Sequence, residues 1–398
     1  MSEITKSLNQ KRDRILYIGG FELPDKNAAA QRVMANAKVL DKIGFEVILI
    51  GVSKTIENSS QFFASKSEYD GFEYYSISYP NDFISWINYL FKIDMYHISN
   101  FKPTHIIAYN FPSFGLNKLI KFGKNKNIKI IGDVTEWYIG QGNLIKKLIK
   151  EIDVFYRMKL LHFKLDGLIV ISDFLEKYYS VRHNNVINIP PLVNLELPKW
   201  PKEIIKKKAN EKIKIIYAGS PGLGNKDRID WIIKNICDLV QIEKLNLELK
   251  IIGISQDQYL TLFKKTNEEI KINSCVVFLG RMEHTEVLKE VNNADFQLFL
   301  RESNLSNNAG FPTKFAESIS CGTPVITNPT SNLSSFLTEG KSGFLLDSIS
   351  ENDLKIKLLK IFKLNHEEIY LMKTYCLNSR MFQYLNYINT FEKFFYKI

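Results

Sequence analysis

The stretch Gly310-Phe-Pro-Thr-Lys-Phe-Ala-Glu-Ser-Ile-Ser-Cys-Gly-Thr-Pro-Val-Ile326 decides how this chain folds. The apolar residues 294–300 before it predict a buried strand, and residues 315–321 predict a short helix that ends at Gly322. Val325 and Ile326 begin the next strand. Strand, loop, helix and strand form a crossover unit, and ligands bind where the loops of such units meet the helix starts.

The loop and helix of this unit carry side chains that suit a sugar-nucleotide diphosphate. Backbone N–H groups at a helix start favour a phosphate group, and Lys314 adds a positive charge there. Glu317 shares a helix face with Lys314, and its carboxylate can accept hydrogen bonds from sugar hydroxyls. The predicted loop also holds Arg301, Asn308 and Thr313. These residues therefore predict a nucleotide-sugar site.

The alternation of strands and helices extends through the N-terminal half of the chain. A strand at residues 14–18, a helix at 28–43 that stops at Gly44, and a strand at 45–51 form a strand–helix–strand unit. Further short apolar strands are predicted at residues 105–109, 129–132 and 167–171. This half is predicted to be a doubly wound α/β domain.

A proline-rich segment divides the chain. Residues 190–201 hold four of its twelve prolines, which excludes a helix or a central strand and predicts an interdomain linker. After it the pattern restarts, with a helix at residues 228–240 and strands at 213–217, 247–252, 276–279 and 296–300. The aromatic stretch that begins at Phe382 has helical periodicity. We expect domains at residues 1–195 and 196–375 and a final helical segment at 376–398.

Glu317 and Gly322-Thr-Pro-Val-Ile326, with Pro312 and Lys314 before them, resemble the donor-binding motif of glycosyltransferase family 4, a family of retaining enzymes. The usual motif has two glutamates; Glu317 matches the second, and Ala309 takes the place of the first. The resemblance covers residues 14–350. It implies the GT-B fold, in which two doubly wound Rossmann-like α/β domains face a central cleft and the last helix crosses back to the N-terminal domain.

The resemblance also implies roles for the donor-site residues. Glu317 would hold the ribose, while Lys226 and Lys314 would neutralise the diphosphate. Ser220 stands where the family has an arginine, and we expect Arg301 to supply that cation; the alternative is a surface ion pair of Arg301 with a carboxylate such as Glu302. The other expected donor-binding residues are Gly20, Gly219, Ser220, Arg281, Met282, Asn308, Gly310, Phe311, Pro312, Thr313 and Phe315.

Four polar residues of the N-terminal half are expected to bind the acceptor. Asp133 and Glu136 follow a predicted strand, where polar side chains face the ligand crevice, although such a pair also caps and charges helix starts. Asn27 and Arg32 follow the loop that begins at Gly20, and the family resemblance places them towards the phosphate and the acceptor. A structural turn is the alternative interpretation of that glycine loop.

Composition narrows the classes of function. The formal net charge is +10, which suits anionic substrates, an anionic membrane surface or simply a solvated surface, and no nucleic-acid-binding motif is present. The histidines and the four cysteines lack metal-ligand spacing, so we expect neither a metal nor another cofactor. The first residues lack the apolar core of a signal peptide, which predicts a cytoplasmic protein.

Residues 143–165 predict a basic amphipathic helix or helix pair. Its apolar positions are Leu144, Ile145, Leu148, Ile152, Phe155 and Met158, and its basic positions are Lys146, Lys147, Lys150, Arg157, Lys159 and Lys164. Such a helix either packs its apolar face on its own domain or makes peripheral contact with an anionic membrane.

The sequence therefore predicts a retaining glycosyltransferase that moves a sugar from a nucleotide diphosphate to a hydroxyl of a glycan or lipid-linked acceptor. The family resemblance places it in cell-surface polysaccharide synthesis. Two alternatives remain. One is a non-catalytic GT-B protein that binds nucleotide sugars, suggested by Ala309 and Ser220. The other is a GT-B sugar-nucleotide epimerase, which needs paired carboxylates at the sugar ring.

Overall fold

The computed structural model describes residues 12–56, 66–79, 95–138, 144–207, 211–221, 226–265, 275–347 and 350–398. The chain forms two compact units: one comprises residues 1–192 and 384–398, and the other residues 193–383. The last segment of the chain thus clusters with the first unit. No helix among the described residues is long and apolar enough to cross a membrane.

The described part of the first unit is built on an eight-stranded sheet in the order β3-β4-β2-β1-β5-β6-β7-β8. All its pairings are parallel except the β3–β4 hairpin. The strands are β1 Arg14–Gly19, β2 Glu46–Ser53, β3 Ser67–Tyr69, β4 Phe72–Ser78, β5 His105–Tyr109, β6 Lys129–Val134, β7 Gly167–Val170 and β8 Val186–Asn188.

Helices connect these parallel strands. They are α1 Ala28–Lys42, α2 Met95–Asn100, α3 Ser113–Lys126, α4 Leu144–Tyr156 and α5 Asp173–Ser180, with a π-helical turn at Arg157–Leu161 and a 3-10 turn at His162–Lys164. The C-terminal helix, α13 Ile388–Phe395, follows the 3-10 turn Tyr384–Tyr387 and packs on α1. Its buried Phe391 and Phe394 join the core of the first unit.

The described part of the second unit has a six-stranded parallel sheet in the order β11-β10-β9-β12-β13-β14. Its strands are β9 Ile213–Ala218, β10 Leu247–Ile252, β11 Val276–Gly280, β12 Phe296–Leu298, β13 Val325–Thr327 and β14 Gly343–Leu345. Its helices are α6 Ile229–Glu243, α7 Gln256–Phe263, α8 His284–Asn293, α9 Leu305–Ala309, α10 Thr313–Ser320, α11 Glu351–Phe362 and α12 His366–Ser379, with a 3-10 turn at Leu333–Ser335.

Local sequence explains several element boundaries. The side chain of Asn27 accepts a hydrogen bond from the Ala30 backbone and so caps α1. Helix α10 begins at Thr313, two residues before the predicted start, because Pro312 suits the position that precedes a helix. Gly322 then adopts φ +73°, which ends this helix before β13. The α/β prediction is confirmed, whereas the antiparallel β3–β4 hairpin had not been predicted.

Candidate functional site

The candidate site lies where the strand order of the second sheet reverses. Counted along the chain, the strands stand in the order 3-2-1-4-5-6, so the loops after β9 and β12 leave the sheet on either side of one crevice. Asp227 belongs to the segment after β9, and Arg301 follows β12 within three residues. Arg301 Nε donates to Asp227 Oδ1 over 2.7 Å, which joins the two segments.

Lys314, the second residue of α10, completes this cluster. Its Nζ donates to Asp227 Oδ2, and the same oxygen accepts from the Tyr217 hydroxyl at the end of β9 over 2.8 Å. The side chains of Asp227, Arg301 and Lys314 are 2%, 8% and 10% exposed. One buried carboxylate therefore holds two cations, and the cluster keeps an excess positive charge.

Gly219 explains how Lys314 reaches this position. A Cβ atom at Gly219 would lie 2.6 Å from Lys314 Nζ, and the backbone there has φ +147°. Any side chain at this position would therefore be strained and would push the ammonium group away from Asp227. The glycine lets the loop after β9 pass close beside the amine.

Burial and charge oppose each other at Asp227. Burial alone would raise the pKa of the carboxyl group, but Lys314 and Arg301 outweigh it and hold the pKa well below its usual range. Burial first, and then the Asp227 carboxylate, raise the pKa of the Tyr217 hydroxyl. Burial lowers the pKa of the Lys314 amine, and the Asp227 carboxylate opposes that shift. At neutral pH the cluster thus contains an ionised carboxylate and a neutral phenol.

Glu317 lies in the middle of α10 and belongs to a separate hydrogen-bonded chain. His284 Nε2 lies 3.2 Å from Glu317 Oε1, and Lys199 Nζ lies 3.2 Å from His284 Nδ1. If Lys199 donates to Nδ1, Nε2 carries the proton and donates to Glu317. Glu317 and His284 are 18% and 17% exposed, so the carboxylate is oriented yet reachable.

Other residues that were predicted to bind the donor lie in the loops after β9 and β11 of the same sheet. Gly219, Ser220 and Lys226 belong to the loop after β9; Gly222 and Gly224 of that loop lie outside the described residues. Arg281 and Met282 follow β11 directly. Glu302, the expected alternative partner of Arg301, instead pairs with Arg228 over 3.1 Å.

The residues around the start of α10 are mostly buried. Phe311 and Phe315 are buried, and with Phe336 and Phe382 they form an aromatic cluster whose ring centroids lie 5.3–6.1 Å apart. Gly310 and Pro312 are buried as well. Asn308 Oδ1 accepts from the Ser331 backbone over 3.1 Å and thereby ties α9 to the loop after β13.

The residues expected to bind the acceptor lie in the first unit, and two of them form a buried ion pair. Arg32 and Asp133 are 2% and 0% exposed, and Arg32 Nη2 lies 2.8 Å from Asp133 Oδ1. Tyr17 also donates to Asp133. Asn27 caps α1, and Glu136 is partly exposed. Acceptor binding by these residues stays a prediction. Gly20, which was predicted to bind the donor, is exposed in this unit.

Arg32→Met is expected to lower the free energy of unfolding by about 3–5 kcal/mol, because it leaves the Asp133 charge buried without its partner. Urea denaturation measures this loss. The double variant Arg32→Met/Asp133→Leu should recover part of it, since no unpaired charge remains. The control is Arg12→Met, whose ion pair with Asp41 is largely exposed. If Arg32→Met and Arg12→Met lost the same free energy of unfolding, a structural role for the buried pair would be contradicted.

Four residues of the site were missed by the sequence interpretation: Lys199, Tyr217, Asp227 and His284. Asp227 stands between Lys226 and Arg228, in a loop whose sequence interpretation considered only the positive charges. Its role depends on Arg301 and Lys314, which are distant in sequence and come into contact with it only in the folded protein. His284 is a single histidine without a motif. No group of metal-ligating side chains occurs among the residues that the structure describes.

Comparison with known proteins finds similarity to glycosyltransferases. Residues 199–373 match the family model for glycosyl transferases group 1. An uncharacterised glycosyltransferase of Methanocaldococcus jannaschii is 30% identical over 143 residues, which are 35% of this chain and 37% of that protein. The matched part thus spans little more than a third of that relative.

Solved structures resemble the chain over nearly its whole length. Sucrose-phosphate synthase from Thermosynechococcus elongatus is 13% identical, with a TM-score of 0.70 over 97% of this chain and 99% of that one. Anabaena HepE, solved in complex with UDP and glucose, is 10% identical, with a TM-score of 0.62 over 97% and 100% of the two chains. The chain therefore has the fold of these GT-B structures, as its donor motif predicted, and its residues 199–373 match the glycosyl transferases group 1 model.

Proposed function

We propose that this protein is a retaining glycosyltransferase of the family 4 type, transferring a hexosyl group from a nucleotide-diphosphate sugar to a hydroxyl acceptor. The observation that carries the proposal is the convergence of Arg301 and Lys314 on one carboxylate at the switch point of the second sheet. This is the place where α/β sheets of this order bind phosphate-bearing ligands.

The two cations suit the charge that develops during the reaction. As the bond between sugar C1 and the diphosphate oxygen breaks, negative charge grows on the leaving phosphate. Arg301 and Lys314, held in a buried site, can stabilise that charge more than they would in water. Glu317, oriented by His284, would accept hydrogen bonds from the ribose hydroxyls of the donor.

Retention follows if the acceptor attacks C1 from the face that the diphosphate leaves. The acceptor oxygen then forms the new bond to C1, the diphosphate departs with the bonding electron pair, and the acceptor hydroxyl proton passes to a phosphate oxygen. No covalent enzyme nucleophile is needed in this scheme. The UDP and glucose in the Anabaena HepE structure support a uridine nucleotide as the first donor to test.

The proposed acceptor is a glycan or a lipid-linked glycan, and the proposed setting is polysaccharide synthesis at the cytoplasmic face of the cell membrane. The group 1 domain and the resemblance of residues 310–326 to the family 4 motif support this assignment.

A thermal-shift screen against UDP-, GDP- and CMP-sugars tests the donor site. A ligand that binds only the folded state increases the free energy of unfolding, by about 2.7 kcal/mol at a ligand concentration of a hundred times its Kd, and so raises the melting temperature. One nucleotide class should raise it for the wild type, and Glu317→Ala and Lys226→Ala should reduce the rise. Lys341→Ala, an exposed lysine of the same unit, is the matched control.

The outcomes separate the rival functions. No shift with any nucleotide sugar would contradict the donor site. Binding without turnover on any glycan or lipid-linked acceptor would support the non-catalytic alternative. A new sugar isomer formed from the donor alone would identify an epimerase.

A further inference from the structure

Helix α4 of the first unit turns large apolar side chains towards solvent. Leu144, Ile145, Leu148, Ile152 and Phe155 are 85%, 65%, 58%, 56% and 62% exposed. Ile145, Leu148, Ile152 and Phe155 follow helical spacing and form one stripe. We call these five residues the α4 apolar face. Of the apolar positions named from the sequence, only Met158, in the turn after α4, is buried. The structure thus contradicts the interpretation that this helix packs its apolar face on its own domain.

The side of α4 that does face the unit is held by polar contacts. Asp153 Oδ1 accepts from the Ser113 backbone at the start of α3 over 2.7 Å, and Arg157 Nη1 donates to the Asn110 carbonyl after β5 over 2.9 Å. Asp153 and Arg157 are 5% and 2% exposed. An ordinary surface helix buries its apolar stripe, whereas α4 buries Asp153 and Val154 and leaves its apolar stripe exposed. Its anchoring does not require the apolar face, which stays open to a partner.

Exposed lysines lie on α4 and on the helix that packs against it. Lys146 and Lys147 are exposed on α4 itself, and Lys147 lies 3.9 Å from the carboxylate of Glu151. The neighbouring helix α3 packs against α4 and exposes Phe114. That helix carries no carboxylate, and its lysines are Lys118, Lys121, Lys124 and Lys126, all exposed. The exposed charges of α3 and α4 are therefore mostly positive.

We propose that the α4 apolar face docks the protein on an anionic lipid bilayer. The apolar side chains would enter the boundary between headgroups and acyl chains, and the lysines of α3 and α4 would contact anionic headgroups. A second copy of this chain fits less well, because a twofold contact through this face would bring two lysine-rich surfaces together. The proposal stands on the exposure and charge of the first unit and is independent of the donor site.

Vesicle co-sedimentation of the full chain tests this docking. The protein is expected to sediment with vesicles of phosphatidylcholine and phosphatidylglycerol in equal parts, and much less with phosphatidylcholine alone. Raising the salt concentration should weaken the binding. Ile145→Glu/Ile152→Glu should weaken it by roughly tenfold or more, since two apolar insertions are lost. Ile242→Glu, which replaces a 70% exposed side chain on α6 of the second unit, is the control and should bind like the wild type.

Equal binding by the double variant and the wild type, or no binding to anionic vesicles, would overturn the proposal. A dimer of the full chain that dissociates in the double variant, without vesicle binding, would assign the face to a second copy instead. Because both substituted side chains are exposed, the double variant should melt like the wild type, and its nucleotide-induced thermal shift should be unchanged.

Discussion

Lys314→Met is expected to lower kcat/KM by about a hundred- to a thousandfold, the loss typical when one preorganised donor to a developing oxyanion is removed. The methionine keeps most of the side-chain volume but provides no charge for the leaving diphosphate. Steady-state kinetics with the donor identified by the thermal-shift screen measures the effect. Lys341→Met, at an exposed site of the same unit, should leave kcat/KM unchanged.

Arg301→Met should give a loss of similar size, because Arg301 shares the same carboxylate with Lys314. Since the two cations act on one diphosphate, the double variant should lose less than the product of the two single losses. A variant of Lys314 that is folded and keeps wild-type kcat/KM would contradict the assignment of this cluster to the leaving group.

Asp227→Asn is expected to cause the largest loss of stability among the donor-site substitutions, about 3 kcal/mol or more in the free energy of unfolding. The substitution leaves Lys314 and Arg301 buried side by side without a countercharge. Urea denaturation measures the loss. The control is Asp238→Asn, because Asp238 pairs with Lys355 while both side chains are partly exposed. Such pairs contribute about 1 kcal/mol at most.

The stability gap between wild type and Asp227→Asn should depend on pH in one direction. The pKa of Asp227 is lowered in the folded protein, so its charge stabilises the fold above the ordinary aspartate pKa of about 3.9. The gap should therefore be complete at neutral pH and should narrow as the pH falls below that value. A gap that widens on acidification would contradict the ion-pair account.

The sequence predicted the fold well because short apolar runs and helix-ending glycines are recognised from neighbouring residues alone. Val325 and Ile326 form a strand as expected, and Gly322 ends the preceding helix because it adopts φ +73°. The β3–β4 hairpin escaped prediction because β3 has only three residues and both strands are largely half-buried, which leaves no clear apolar alternation in the sequence.

The candidate site was predicted in part. The crossover pattern and the motif brought Lys314 and Glu317 to one helix, but the pairing of Lys314 with Asp227 joins residues from distant segments. The same holds for Arg32 of α1 and Asp133 of β6, which meet inside the first unit. No spacing rule in a single sequence identifies such partners, because the backbone fold decides which buried charges meet.

The preference of the protein for a nucleoside diphosphate over a nucleoside monophosphate tests most directly whether Arg301 and Lys314 bind the diphosphate of the donor. Calorimetric titration of the full chain should show that UDP, or GDP if guanosine is the donor nucleotide, binds roughly a hundredfold more tightly than its monophosphate, as two charge-assisted contacts to the second phosphate would give. Lys314→Met should reduce this ratio towards one, whereas Lys341→Met should preserve it. An unchanged ratio in Lys314→Met, or equal affinity of the wild type for both nucleotides, would contradict recognition of the diphosphate by this cluster.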